Sequence, residues 1–170
     1  EHTRLIEALL AEAGELPAVS GPRIFMTGSD HFDTKLYEYV EEAGAVVVAE
    51  DHNTGMRRFE RDWDTRLSPE KAAVDRYMLR SYSSKKALVS QRTEALLSAA
   101  KSARADAVIF FANEYEESAS WDWPSQKKAL EEAGIRAAEM VKLKYPAEVN
   151  KGLKERIAAF IEALRREKGC

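Results

Sequence analysis

The chain is almost without cysteine: its 170 residues include one, Cys170, and that is the last residue. A single thiol cannot build a disulfide framework, an internal CxxC pair or a thiolate-ligated cluster within one chain. An excess of basic charge is also missing, since 26 Lys and Arg stand against 29 Asp and Glu, for a formal net charge of −3. No surplus remains to neutralise phosphates, which excludes bulk nucleic-acid binding. The longest apolar runs, residues 45–49 and 107–112, are far too short to span a membrane. No charged segment followed by an apolar one opens the chain, so a signal peptide is not expected. A GxGxxG phosphate loop is absent: Gly28-Ser29-Asp30 holds one glycine, and Asp30 repels an anion, so no nicotinamide or flavin site is read here. Catalytic Ser-His-Asp order is absent as well, because Ser29, Ser118 and Ser120 have no base in view. These absences point to a cytoplasmic protein that engages neither nucleic acid nor membrane. The missing initiator methionine points to a processed or excised piece of something longer.

What is present is an ordinary globular balance, 45% hydrophobic and 32% charged, in a chain of single-domain size. Leu5, Ile6, Leu9 and Leu10 share one face of a helix over residues 3–13, and a linker with two prolines follows to residue 22. From residue 23 strand and helix patterns alternate. Strands are predicted at residues 23–28, 45–49, 107–111 and 136–141. Asp33 is expected to cap a helix that closes at Gly44, and Ser68-Pro69 to open one that runs towards Arg80. A long helix is expected at about residues 85–103, one opening at Pro124 and closing at Gly134, and a last one over residues 148–168. Hairpin signals such as Asn-Gly and internal repeats are absent. The pattern predicts residues 1–22 as helix and linker, and residues 23–170 as one α/β domain. That domain is a four-stranded parallel sheet, doubly wound in three layers like flavodoxin and Rossmann folds, with strand order 2-1-3-4.

Ligands of such sheets collect beyond the carboxyl ends of the strands. The candidate cleft is therefore formed by Ser29 after strand one, His52, Asn53 and Thr54 after strand two, and Glu116 after strand three. The plainer reading of Asn53 and Glu116 is as solvated turn residues. His52 with Glu50, Asp51 and Glu116 offers nitrogen and oxygen donors, but one histidine beside ordinary acids does not make a metal site, and none is expected. Arg57, Arg58, Arg61 and Arg66, interleaved with Phe59 and Trp63, form a basic-aromatic patch to which Lys85, Lys86 and Arg92 can add. Guanidinium groups bind phosphate bidentately, which makes Arg57 and Arg58 candidate phosphate contacts. The interleaved Glu60, Asp62 and Asp64 favour a salt-bridged loop instead. Tyr115, Trp121 and Trp123 crowd an acidic loop, as aromatic residues do at interfaces.

Four segments carry a family resemblance: RIFMTGS from Arg23, EDHNTGMRRF from Glu50, ADAVIFFANEYEESASWDWP from Ala105, and LKERIAAFIEAL from Leu153. Together and in order they resemble the carboxyl-terminal half of a subunit of the 2-hydroxyacyl-CoA dehydratase / benzoyl-CoA reductase family. The resemblance implies an iron–sulfur cysteine at the position of Asn53, another at that of Glu116, and a further one near residues 80–84, where the sequence reads Arg80-Ser81-Tyr82-Ser83-Ser84. It also implies a heteromer of two related subunits, acting on CoA thioesters as lyase or reductase. In that family a separate ATP-dependent activator supplies electrons to a [4Fe-4S] centre. With its cysteines replaced, this chain reads as binding no cofactor of its own and as non-catalytic when alone. It would be a structural or acyl-CoA-contacting partner of a cluster-bearing subunit or of a missing amino-terminal domain. Two other readings stay open. One is an engineered, cysteine-depleted scaffold with Cys170 as a handle; the other is a stand-alone α/β enzyme using the carboxylate-rich strand edge.

Overall fold

The structure is a computed structural model that describes residues 1–31, 33–56, 62–79 and 88–168. Four strands, β1 (Arg23–Gly28), β2 (Val46–Glu50), β3 (Ala107–Asn113) and β4 (Arg136–Leu143), form one sheet in the order β2-β1-β3-β4. All three neighbouring pairs are parallel. The helices are α1 (His2–Glu15), α2 (Lys35–Glu42), α3 (Pro69–Val74), α4 (Val89–Ser102), α5 (Glu117–Glu132) and α6 (Leu153–Lys168). A π-helical segment, Asp75–Leu79, continues α3, and a 3₁₀ turn, Ala147–Val149, precedes α6.

The central strands explain the layering. β1 and β3 are buried along nearly their whole length, as strands covered on both faces must be. Because side chains alternate, Ile24, Met26, Ile109 and Phe111 join one core with Leu36 and Val40 of α2 and Ile157, Ile161 and Leu164 of α6. Phe25, Val108 and Phe110 join a second core with Leu96 and Ala100 of α4 and Trp123 and Leu130 of α5. β2, read from sequence as a buried strand, is half-buried throughout, because the strand order leaves it at an edge. Gly28 ends β1 at φ +116°, and a Cβ there would run into the carbonyl of Phe111; only glycine lets the two central strands approach so closely.

Several helix boundaries differ from expectation: the N-cap of α2 is Thr34 rather than Asp33, and α4 begins at Val89 rather than near residue 85. α6 begins at Leu153, since residues 147–149 form the 3₁₀ turn and Gly152 takes a left-handed φ of +74°. α5 begins seven residues before Pro124, which lies inside it. Proline there forfeits one hydrogen bond, to the carbonyl of Ser120, but the helical start places Asp122 and Trp123 against the core. Trp123 stacks on Phe110 with centroids 4.6 Å apart and planes 10° apart. That burial offsets the lost bond, so the stretch expected to be an acidic loop is largely helix. α1 buries none of its residues.

Candidate functional site

The turns after the strands meet at the carboxyl edge. Asp30, just past β1, holds the turn after β2: its Oδ1 accepts the backbone N–H of Asn53 at 2.6 Å and of Thr54 at 3.2 Å, and its Oδ2 accepts Asn53 Nδ2 at 3.3 Å. Thr54 Oγ1 donates to the carbonyl of His31 at 2.9 Å. Having spent its proton there, that hydroxyl accepts from His52 Nδ1 at 2.9 Å, which fixes Nδ1 as a protonated nitrogen. The Nε2 of His52 lies 2.7 Å from the Tyr37 hydroxyl and also contacts the Glu50 carboxylate, to which Tyr37 is hydrogen-bonded in turn. His52 is only 3% exposed. It is a locked element of the edge rather than a free ligand.

His31 completes the cluster. Its ring meets His52 at 4.8 Å and Phe111 at 5.4 Å, both edge-to-face. Burial and the neighbouring His52 lower its pKa to about 4, against a smaller opposing pull from Asp30. At neutral pH the imidazole is therefore uncharged. Residues of the turns after β1, β3 and β4, His31 among them, line a partly open cavity of about 210 Å³.

The expected cleft residues fall as follows. His52, Asn53 and Thr54 are brought together and tied to Asp30 and His31. Ser29 is fully buried, and its Oγ accepts the Asn113 N–H at 2.9 Å, so it joins β1 to β3. Glu116 stands at the same sheet edge as the N-cap of α5, where its N–H bonds the carbonyl of Asn113 at 3.1 Å. Arg57, Arg58 and Arg61, with Lys85 and Lys86, lie outside the described residues. Arg66 is engaged by Asp64 at 2.8 Å, as a salt-bridged loop requires, and Arg92 is engaged by Asp122. Among the described residues, no group of three His, Cys, Asp or Glu is placed to hold a metal ion.

Sequence reasoning missed the parts played by Asp30, His31 and Tyr37. In the sequence Asp30 reads only as an anion-repelling turn residue, and His31 lies 21 positions from His52 with no periodicity to link them. The adjacency Ser29-Asp30-His31 at the end of β1 was the one signal that could have flagged them.

The parallel sheet with its polar carboxyl edge is that of an α/β fold. The chain belongs to the 2-hydroxyglutaryl-CoA dehydratase D-component family, whose model matches residues 1–164. It is similar to the (R)-phenyllactyl-CoA dehydratase beta subunit of Clostridium sporogenes, at 27% identity over 137 residues. That match covers 79% of this chain and 37% of the relative. Iron–sulfur clusters are held chiefly by cysteine thiolates. The positions that the resemblance assigns to cluster cysteines carry an amide, Asn53, and a carboxylate, Glu116. The Asn53 amide faces the Asp30 carboxylate, a partner suited to an N–H donor and not to an anionic thiolate. These residues do not fit a cluster. Among the described residues no helix is long and apolar enough to cross a membrane.

Proposed function

We propose that the chain is a dehydratase-type subunit or domain that lacks its own [4Fe-4S] cluster and acts as a structural or acyl-CoA-contacting partner of a cluster-bearing subunit. The observation that supports this reading is at Asn53, to which the resemblance assigns a cluster cysteine: it is bound through backbone and side chain to Asp30, inside a network of oxygen and nitrogen groups. A partner role draws support from the α5 end of the edge, where Tyr115 is 90% and Trp121 78% exposed. Large exposed aromatics of this kind are the residue types that anchor interfaces.

Anaerobic reconstitution with ferrous iron and sulfide tests the first half. The expected product has neither stoichiometric iron nor acid-labile sulfide, and a thiolate-to-iron charge-transfer band would overturn the reading. For the second half, Trp121→Ala is expected to weaken association with a cluster-bearing family subunit by about 30-fold, the size of an interface anchor's loss. Unchanged association measured by analytical ultracentrifugation would remove Trp121 from the interface.

A further inference from the structure

Among the described residues two apolar surfaces are left unmatched, a stripe on α1 and a groove between α4 and α5. α1 spans 14 residues and buries none of them. Its Leu5, Ile6, Leu9 and Leu10 are between 43% and 68% exposed. At 100° per residue they share one face with His2 and Ala13. Glu12 borders that face on one side and Glu7 on the other, while Arg4 lies on the back of the helix. Helices of about 12–15 residues are marginal in water and are held chiefly by packing of an apolar face. The groove is partly open and measures about 510 Å³; Val89, Ser90, Thr93, Glu94 and Leu97 of α4 line it with Ser125 of α5.

We propose that the α1 stripe docks into the α4/α5 groove of a second copy of this chain, each copy giving its helix to the other. Length agrees: Val89 to Leu97 and Leu5 to Ala13 each cover eight residue steps, about 12 Å of helix. Charge agrees as well. Lys101 stands four residues on from Leu97 and Lys128 three on from Ser125, so both share the faces that form the groove. Two ammonium groups against the one carboxylate of Glu94 give a rim that suits Glu7 and Glu12. Lys128 meets Glu132 only in an exposed pair at 3.8 Å, which leaves it open to a further carboxylate. A second α1 fits less well, because two paired stripes set acidic borders against acidic borders. Residues 16–22, with Pro17 and Pro22, separate α1 from β1 and reach about 20 Å when extended, enough to carry the helix to a neighbour. Reciprocal exchange closes on one twofold axis and makes the contact twice. The inference does not rest on the subunit role proposed above.

Sedimentation velocity on the full chain reads the assembly. A dimer is expected to be the main species at about 100 µM, the behaviour of an interface at the small end of the size range. Leu9→Gln keeps helix propensity and removes the middle of the stripe. Ser125→Arg fills the groove from an exposed position. Each should weaken dimerisation by about tenfold or more. Ser90→Arg serves if Ser125→Arg does not fold. A mixture of the Leu9→Gln and Ser125→Arg chains should associate more strongly than either alone, since one intact stripe then meets one intact groove. In a mixture of ¹³C-labelled and unlabelled wild type, isotope-filtered NOEs are expected between the Leu9 and Leu97 methyls of different copies. A monomer at that concentration would overturn the proposal. So would a dimer that survives Leu9→Gln, or one that survives Ser125→Arg and so rests on paired α1 stripes or on another face. Leu9–Leu97 NOEs confined to one chain would place α1 in its own groove and overturn it too.

Discussion

Replacing Asp122 by alanine is expected to destabilise the protein by about 3–5 kcal/mol, the cost of leaving a buried charge without its partner. Asp122 sits on the inner face of α5 and is 4% exposed. Arg92 of α4 grips it with both prongs of its guanidinium, Nε to Oδ2 and Nη2 to Oδ1, each at 2.5 Å. The side chains are 12% and 5% exposed, so water cannot take over when one is removed. A chain of this size loses about 2–4 °C of melting temperature per kcal/mol, so a fall on the order of 10 °C is expected. Arg92→Lys should recover only part of the wild-type value, since a single ammonium cannot reproduce the fork. Arg92→Met combined with Asp122→Leu should be far less damaging than Asp122→Ala alone, because it removes both charges. Urea denaturation at pH 7 reads all three. A loss under about 1 kcal/mol for Asp122→Ala would place the pair among ordinary surface salt bridges.

Acid is expected to cost the protein stability through His31. The unfolded chain takes up a proton on this histidine near pH 6.5, whereas the folded chain resists until about pH 4. Above pH 6.5 both states are neutral at this site and His31 contributes no slope. Between 6.5 and about 4 the unfolded state binds more protons, so stability falls as pH falls, and below that window the loss levels off. At about 1.4 kcal/mol per pH unit the total is on the order of 3 kcal/mol. Carboxylates titrate over the same range, so the informative quantity is the difference between wild type and His31→Phe. Unfolding free energies taken at intervals from pH 7 to pH 4 should give a difference curve that is flat near 7 and grows towards 4. Parallel profiles would mean that His31 charges as easily in the folded protein as in the unfolded one.

Composition and pattern determined a good deal. The apolar run at residues 107–112 and the shorter Ile24-Phe25-Met26 read as strands of a covered sheet, and helical stretches between strands demand parallel crossovers. From these the order β2-β1-β3-β4 followed, and so did the edge at which polar turns would gather. The family was legible too, through four short segments taken in order, and the family model matches residues 1–164. That positions 53 and 116 carry Asn53 and Glu116, neither of them a cysteine, is a fact of sequence alone.

Other features were decided by tertiary structure. The sequence Trp121-Asp122-Trp123-Pro124 reads as a loop because proline normally opens a helix or ends one. The burial of Trp123 on Phe110 and the Arg92–Asp122 pair outweigh one missing hydrogen bond, so α5 runs through it. Trp121 and Trp123 look alike in sequence, yet one is 78% exposed and the other 3%, because two steps along a helix turn a side chain by more than half a circle. The polar edge belongs to the same class. Asp30, His31, Tyr37, Glu50, His52 and Thr54 come from three separated stretches, and no periodicity joins them. Parallel pairing of β1 with β2 brings their carboxyl ends side by side, and only that contact turns two unremarkable turns into one hydrogen-bonded network with a neutral histidine packed against it.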